Sequence, residues 1–590
     1  MSTHLSHEFS SLGLSNEQSE DRVVIALDFG TTFSGVAYCF NHPGRKPEPQ
    51  CINDWPGLEG CSQPKIPTVV SYGESGTYFK WGGQVDAGAI SGNVARVKLL
   101  LDPKQQKPVY LPRSSRKTDL KELTKVGKQP VDVAADFMRA IHLHAMDKIK
   151  DKVPKQYFDM CQRQYVLTVP AVWSDQARDL TLRAAKMAGI HPVRMVTEPE
   201  AAAIYTLHMQ ERALKPGDVF LLCDCGGGTV DLITYEVKET EPYLKLAEAV
   251  EGSGGIAGSL MLNDKFAEVV KEVVGETQWI TLKKTLGWAK AAKEWDRVIK
   301  PGFRGNLKDE HFIMFPQANL EDDEEVRLKD NCWTMTGEDV KSIFDPVIQD
   351  ILRFVDDQVK SAQLKQAGAD VTGNLLVGGF GSSQYLKGEI EKSFPDVQVI
   401  QPDDAWAAIA KGAVLTKLQG KLAPVVVSTQ AVRHYGVCSM MEWDSSEDKD
   451  QERVLDKVSG KWRCRRMTWY ILKGEELKRD STVKFGFYRD VPVKSQSSAF
   501  EFRNELLMCD LPSAPNYPGD DVGVNCVLKT NLTDIDKSRF KTVTGVDGIQ
   551  YYQVSFDLVL STQDANVKFS FEFEGENRGE VTAEYDKVIN

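Results

Sequence analysis

The sequence predicts an α/β body of two similar lobes followed by a smaller β-rich module, on three observations. Strand-like and helix-like segments alternate through the first two-thirds of the chain, as they do in α/β folds. A strand, Asp-x-Gly turn, strand plan occurs twice, at Val23–Tyr38 and again at Val219–Tyr235. From about Pro424 the texture becomes period-two alternation broken by Gly, Pro, Asn and Asp clusters, which reads as antiparallel sheet.

Met1–Asp21 is polar and has too little apolar surface to offset ordering, so a disordered leader is expected. Val23–Leu27 is a continuous apolar run, the pattern of a strand buried on both faces. Val133, Phe137, Ile141 and Ala145 fall at helical spacing within Val131–Lys150. Tyr165–Val169 is a strand ended by Pro170, and Ser174–Gly189 a helix with Ser174 as its N-cap. Val193–Val196 reads as a short strand and Ala201–Leu207 as helix. After Glu241 the expectation is mostly helix, with Glu321–Glu325 a solvated acidic loop. Strand character returns at Asn374–Val377, which runs into Gly378, Gly379 and Gly381. In the tail, Thr482–Phe487, Tyr552–Leu558 and Val567–Phe573 alternate, while Ser445–Gln451 and Asn516–Val522 read as exposed loops. The expected domains are therefore a leader over 1–21, a two-lobed body over 22–420 and a β module over 421–590.

Composition narrows the function. The 590 residues carry 84 acidic against 72 basic side chains, a net charge of −12, with no run of Lys and Arg. Nucleic acid is not an expected partner. The 11 cysteines are scattered and the nine histidines are unclustered, so neither a disulfide framework nor zinc is expected. No stretch approaches the ~18 apolar residues of a membrane span. With no apolar signal segment at the start, a reduced, cytoplasmic location is expected.

The two turns carry the chemistry. Backbone N–H groups in a Gly/Thr turn form a concave nest for phosphate oxygens, and glycine lets the chain approach closely. Gly30, Thr31 and Thr32 suit this in the first copy, and Gly226, Gly227 and Gly228 in the second. Asp28, Asp224 and Asp231 would stand beside those phosphates and be repelled, unless a magnesium ion with its water shell intervened. Without a ligand they would be ordinary turn residues.

These residues also carry a resemblance. Val24–Tyr38, Val219–Tyr235 and Leu375–Ser383 look like the two phosphate loops and the adenosine loop of the actin-like ATPase fold, with its ribonuclease-H-like duplicated lobes. Val169–Asp175 with Arg178, Ala188-Gly189 and Thr197–Ile204 is similar to the heat shock 70 kDa protein family. With no helical lid, and with Phe29–Tyr38 as it stands, the chain looks most like the divergent heat shock 70 kDa protein 12-like branch. The resemblance spans Arg22 to Gly420.

It implies ATP or ADP with Mg2+, slow hydrolysis, and a nucleotide state that governs the C-terminal module in a chaperone-like way. By resemblance, Asp28 and Asp224 hold the metal's waters, with Asp231 and Thr229 nearby. Lys98 in Asn93–Leu100 approaches the γ-phosphate, and Glu198 helps orient the metal-bound water. Gly378, Gly379 and Gly381 pass the adenosine, with Arg297 the one basic match on the helix Trp288–Val298. Pro170 and Arg178 relay nucleotide state. Lys98 could equally be a surface charge, Glu198 a helix-start acid favoured by the macrodipole, and Arg178 a helix-surface residue.

Phe380 stands in place of a small polar residue, and Ser382-Ser383 where an arginine faces the adenine. Lys421–Val427 replaces the acidic-hydrophobic linker of the chaperones. These departures keep two other readings open: a nucleotide-binding interaction scaffold without hydrolysis, and a small-molecule kinase on the same fold. Protein clients or partners would engage the β module, by strand addition to an exposed edge.

Overall fold

A computed structural model describes residues 21–41, 47–72, 79–85, 93–102, 123–171, 173–209, 214–241, 244–365, 370–418, 425–478, 482–563 and 566–580. The expected leader, apart from Asp21, and residues 421–424 lie outside the described residues.

Two sheets share one plan. Arg22–Asp28 pairs antiparallel with Phe33–Asn41 and parallel with Gln162–Val169, which pairs parallel with Val193–Thr197. Val219–Cys225 pairs antiparallel with Val230–Glu239 and parallel with Gly373–Val377, which pairs parallel with Gln398–Ile400. The continuous apolar runs follow from burial on both faces. Val23, Ile25 and Leu27 enter one core while Val24 and Ala26 enter another. Likewise Leu221 and Cys223 face away from Phe220 and Leu222.

The core shared by the two sheets holds the helices Glu198–His208 and Ala408–Leu415, which pack on each other. They cross at Gly412, where a Cβ would stand 1.8 Å from the Ala201 carbonyl oxygen. Helix starts follow local chemistry. Ser174 caps Asp175–Met187 by accepting from the Ala177 N–H, and Thr197 caps Glu198–His208 by accepting from Glu200.

The segment after Glu241 departs from expectation. Lys245–Gly255 is a strand, paired with Val230–Glu239 through several register shifts. Glu310–Met314, Leu328–Lys329 and Cys332–Thr336 form a separate small sheet. The residues of Lys245–Val250 favour helix locally, but edge pairing and burial override a propensity of a few tenths of a kcal/mol per residue. Helices do follow, at Ser259–Leu282, Leu286–Glu294 and Gly337–Lys365. Glu321–Glu325 is exposed.

Val425–Gln430 runs parallel to Lys245–Gly255 on the second-lobe sheet, and Glu476–Lys478 pairs with it. The remaining tail forms two five-stranded antiparallel sheets around an aromatic core that includes Phe502, Phe556 and Phe571. Ser445–Asp450 is exposed except at Asp448, which is buried and takes the Arg466 guanidinium and the Tyr517 hydroxyl, and Gln451 is half-buried. That loop is thus pinned rather than free.

One buried base carries a pH signature. Burial, with Arg163 and Lys150 nearby, pushes His142 down to about 4. The folded state therefore resists its protonation, and its contribution is complete above the unfolded pKa near 6.5 and lost as pH falls towards 4. Urea melts from pH 7 to pH 4 should show His142→Gln losing less stability than wild type, by at most roughly 3 kcal/mol. Equal acid slopes would refute this.

Candidate functional site

The two Asp-x-Gly turns meet face to face at the seam between the lobes. A Cβ on Gly227 would stand 2.1 Å from the Thr32 hydroxyl oxygen, and one on Gly228 2.8 Å from that of Thr31. Only a chain without side chains can come this close. Gly30 donates to the Ser34 hydroxyl at 3.2 Å, and Gly226 donates to the Thr229 carbonyl at 2.9 Å. The second turn also accepts from the helix behind it, Ser259 N–H to Gly226 and Leu260 N–H to Gly227. Gly378 closes the floor with φ +88°, where a Cβ would lie 2.4 Å from Asp224 Oδ1. Phe380 and Gly381 both donate to the Cys225 carbonyl.

Four carboxylates are buried here: Asp28, Glu198, Asp224 and Asp231. Asp28 ends its strand, and Asp224 lies in register with Asp231 across the second hairpin. Two lysines oppose them. Lys98 Nζ donates to Glu198 Oε1 at 2.5 Å, and Lys65 Nζ donates to Asp28 Oδ2 at 2.6 Å. Thr168 donates to the other Asp28 oxygen at 3.1 Å.

Lys65 reaches Asp28 because both pair with Gly35, one on each side of that strand. A Cβ there would stand 3.0 Å from the Lys65 Cγ, so a bare backbone lets the lysine arm cross. Burial works against the Lys65 ammonium, but the Asp28 charge and hydrogen bond hold its pKa up, with Asp224 and Glu198 adding to the field. Glu198 is pushed up to about 7, by burial first, with Lys98 opposing and Asp28 and Asp231 reinforcing. Asp224 is raised well above the carboxylate range by burial and by the charges of Glu198 and Asp231. Its Oδ1 is buried without a hydrogen-bond partner.

Burial and the neighbouring charges thus favour a proton, or a cation in its place, on Asp224. Among the described residues no three acidic, His or Cys side chains converge as a direct metal cage. The buried, unpartnered Asp224 Oδ1 among neighbouring carboxylates fits a cation that keeps its water shell, as magnesium does.

The structure thus gathers Asp28, Lys98, Glu198, Asp224, Asp231, Thr229 and both glycine turns at one seam. Arg297 is exposed on the turn Trp295–Ile299, where Asp296 accepts from Lys300 and Asn263. Phe380 is buried against Phe344 and acts as an anchor. Ser383 caps the next helix, and Ser382 donates to the Gly379 carbonyl. Arg178 donates to the Ala171 carbonyl at 2.7 Å and is largely buried, so it is not a free helix-surface residue.

Sequence reasoning missed Lys65, Thr168 and an edge-on pair between Phe33 and Trp406, ring centroids 5.3 Å apart, that joins the first turn to the second lobe. A lone lysine before Ile66-Pro67 gives no sign that it points inward.

Duplicated sheets, two opposed glycine turns and a sunken acidic cluster define the actin-like ATPase fold. A family model described as Hsp70 protein matches residues 115–428, and the chain belongs to the Hsp70 family. It is 24% identical to human heat shock 70 kDa protein 12A over 535 residues, 76% of each chain. It is 24% identical to human heat shock 70 kDa protein 12B over 506 residues, 71% of this chain and 72% of that one. The chaperone protein HscA homolog of Acinetobacter baumannii, also 24% identical, aligns with 69% of this chain and 59% of its own length. Its place is thus with the divergent 12-like branch.

Breaking one half of the buried pair should be costly. Lys65→Met should destabilise the chain by about 3–5 kcal/mol, because it strands the Asp28 charge, and adding Asp28→Asn should restore much of that. Chemical melts of the two singles and the double would show it. Additive losses would refute the pairing.

Proposed function

We propose that this chain binds ATP with magnesium at the lobe seam, hydrolyses it slowly, and uses nucleotide state to govern the C-terminal sandwich in a chaperone-like role. The observation that carries this is the meeting of two glycine turns over four buried carboxylates, one of which, Asp224, keeps an oxygen without a hydrogen-bond partner. The N–H groups of Thr31, Thr32, Gly227 and Gly228 would cradle phosphate oxygens, those of Gly30 and Gly226 being engaged by Ser34 and Thr229. Asp224, through its unpartnered Oδ1, and Asp28 would hold the water shell of the metal, and Asp231 and Thr229 would bound it. When bound, magnesium would neutralise phosphate charge and fix the phosphoryl geometry.

Lys98, freed in part from Glu198, would offer its ammonium to the γ-phosphate. Glu198, raised to about 7, would orient the attacking water and accept its proton. The lobes can hinge about the Gly412–Ala201 crossing, and the adenosine side would pass Gly378, Gly379 and Gly381. Arg297, exposed on the turn Trp295–Ile299, would approach the adenosine side from there.

A physical route supports control of the sandwich. Lys98 Nζ lies 5.4 Å from the Trp173 ring centre. The next residue, Ser174, donates to Asp102 from both its N–H and its hydroxyl. Asp175 then accepts from the Tyr435 hydroxyl of the sandwich at 2.8 Å, a buried bond. Pro170 and Arg178 flank this stretch and would set its position.

The scaffold reading has its own observation: the direct Lys98–Glu198 pair occupies both residues that hydrolysis needs. Calorimetry and single-turnover assays separate the two. Wild type should bind ATP in a magnesium-assisted way, Asp224→Ala should lose that assistance, and Lys98→Ala should lose turnover by about a hundredfold or more. Tight binding with no turnover in any form would select the scaffold, and no binding would exclude both.

Tyr435→Phe should leave ATP affinity within about twofold while abolishing the nucleotide-dependent change in protease protection of the sandwich. Retained coupling in this variant would remove the Asp175–Tyr435 bond from the route.

A further inference from the structure

The C-terminal sandwich is open along one side. His434–Glu442 pairs with Glu501–Cys509 only from His434↔Cys509 to Gly436↔Leu507. Beyond Gly436 the first strand keeps its other neighbour as far as Glu442↔Arg463, and the second keeps Val522–Asn531 as far as Glu501↔Asn531. The strands diverge, and each is left with a main-chain edge that faces no strand among the described residues. Thr482–Pro492 likewise pairs only with Gln550–Gln563. Between these edges lies an open groove of about 740 Å³.

Its lining is unusual for a chain of net charge −12. Four arginines, Arg463, Arg465, Arg489 and Arg503, outnumber three carboxylates, Asp456, Asp490 and Glu505, and share it with Phe487 and Phe556. Arg463 is paired with Asp456 at 2.7 Å and Arg503 more loosely with Glu505 at 3.4 Å. Arg465 and Arg489 have no carboxylate partner among the described residues. Arg489 is half-buried, stacks 4.9 Å from the Phe502 ring centre, and donates only to neutral acceptors, the Arg503 carbonyl and the Asn504 side chain. A guanidinium drawn partly out of water and left with neutral acceptors gains most from a carboxylate, which it can grip with two parallel hydrogen bonds.

We propose that this groove takes an extended acidic peptide segment of a partner protein, whose main chain pairs with the free edges and whose carboxylates meet Arg465 and Arg489. Apolar side chains on the alternate positions would rest against Phe487 and Phe556. Strand addition needs edges of unused N–H and C=O groups, and diverging strands supply them. The inference deepens the reading of the sandwich as the client-holding part and names the class of client.

The test uses the full chain and fluorescein-labelled decapeptides that alternate Val with Glu or Val with Lys. Fluorescence anisotropy at about 0.1 M salt should show the Glu peptide binding at least about tenfold tighter than the Lys peptide. N-methylation of alternate peptide nitrogens should abolish binding, since it removes the edge hydrogen bonds. Arg465 and Arg503 are exposed, so Arg465→Glu/Arg503→Glu should fold normally and reverse the preference. Equal affinity for the two peptides, a preference that survives the double reversal, or no binding by either would overturn the proposal. Binding that appears only once residues 1–20 are removed would assign the groove to the chain's own segment and overturn it too. Repeating the titration with Mg-ATP separates this from the nucleotide reading. An acidic preference indifferent to ATP sinks the coupling alone, and ATP sensitivity without an acidic preference sinks this inference alone.

Discussion

Four carboxylates buried where two lobes meet are the constraint on which the rest depends. Carboxylates taken out of water must be paired, protonated or joined by a cation, because each uncompensated charge costs several kcal/mol. Lys65 and Lys98 from the first lobe settle half of the account at Asp28 and Glu198. Asp224 and Asp231 come from the second lobe and depend on a raised pKa, a neighbour or a ligand. The first-lobe carboxylates thus have lysine partners, while Asp224 keeps a buried oxygen without a hydrogen-bond partner. That asymmetry gives a divalent ion, and the phosphates it would carry, a reason to bind between the lobes rather than on either one.

Backbone economy makes the seam possible. The turns touch only because Gly227 and Gly228 present no side chain to Thr31 and Thr32, and Gly378 can underlie Asp224 only at positive φ. Gly35 plays a quieter part by letting Lys65 cross its strand. The consequence is a closed, tightly fitted junction in which small shifts of one lobe must be felt by the other. The helices crossing at Gly412 and Ala201 pack equally closely.

The junction and the sandwich are joined by more than chain continuity. Val425–Gln430 extends the second-lobe sheet, so the strand that leaves the lobes is part of them. Asp175, at the start of a first-lobe helix, holds Tyr435 at the start of a sandwich strand. That same strand diverges from its neighbour one residue later to open the arginine-lined groove. Asp175 thus ties the first lobe to the strand that borders the groove.

Much of this could be read directly from the chain. Runs such as Val23–Leu27 and Val219–Cys223 announce strands buried on both faces, because no half-exposed strand would be apolar at every position. The repeated Asp-x-Gly plan announces duplication, and the caps at Ser174 and Thr197 are local chemistry. Asp28, Asp224, Asp231, Glu198 and Lys98 were legible as a set through motif resemblance, and the fold brings them together. Lys245–Gly255 was not legible, because its helix-favouring residues become a strand only through partners distant in sequence. Arg297 was legible only as a residue type, and the fold adds that it lies exposed on the turn Trp295–Ile299. Lys65 was invisible because its meaning depends on a glycine in the adjacent strand and an aspartate two strands away. The sequence by itself determined which segments must be buried and where phosphate could be cradled, since those follow from periodicity and local backbone freedom. Tertiary structure alone decided which charges face each other and where strands part, because both depend on register between segments that the chain does not place side by side.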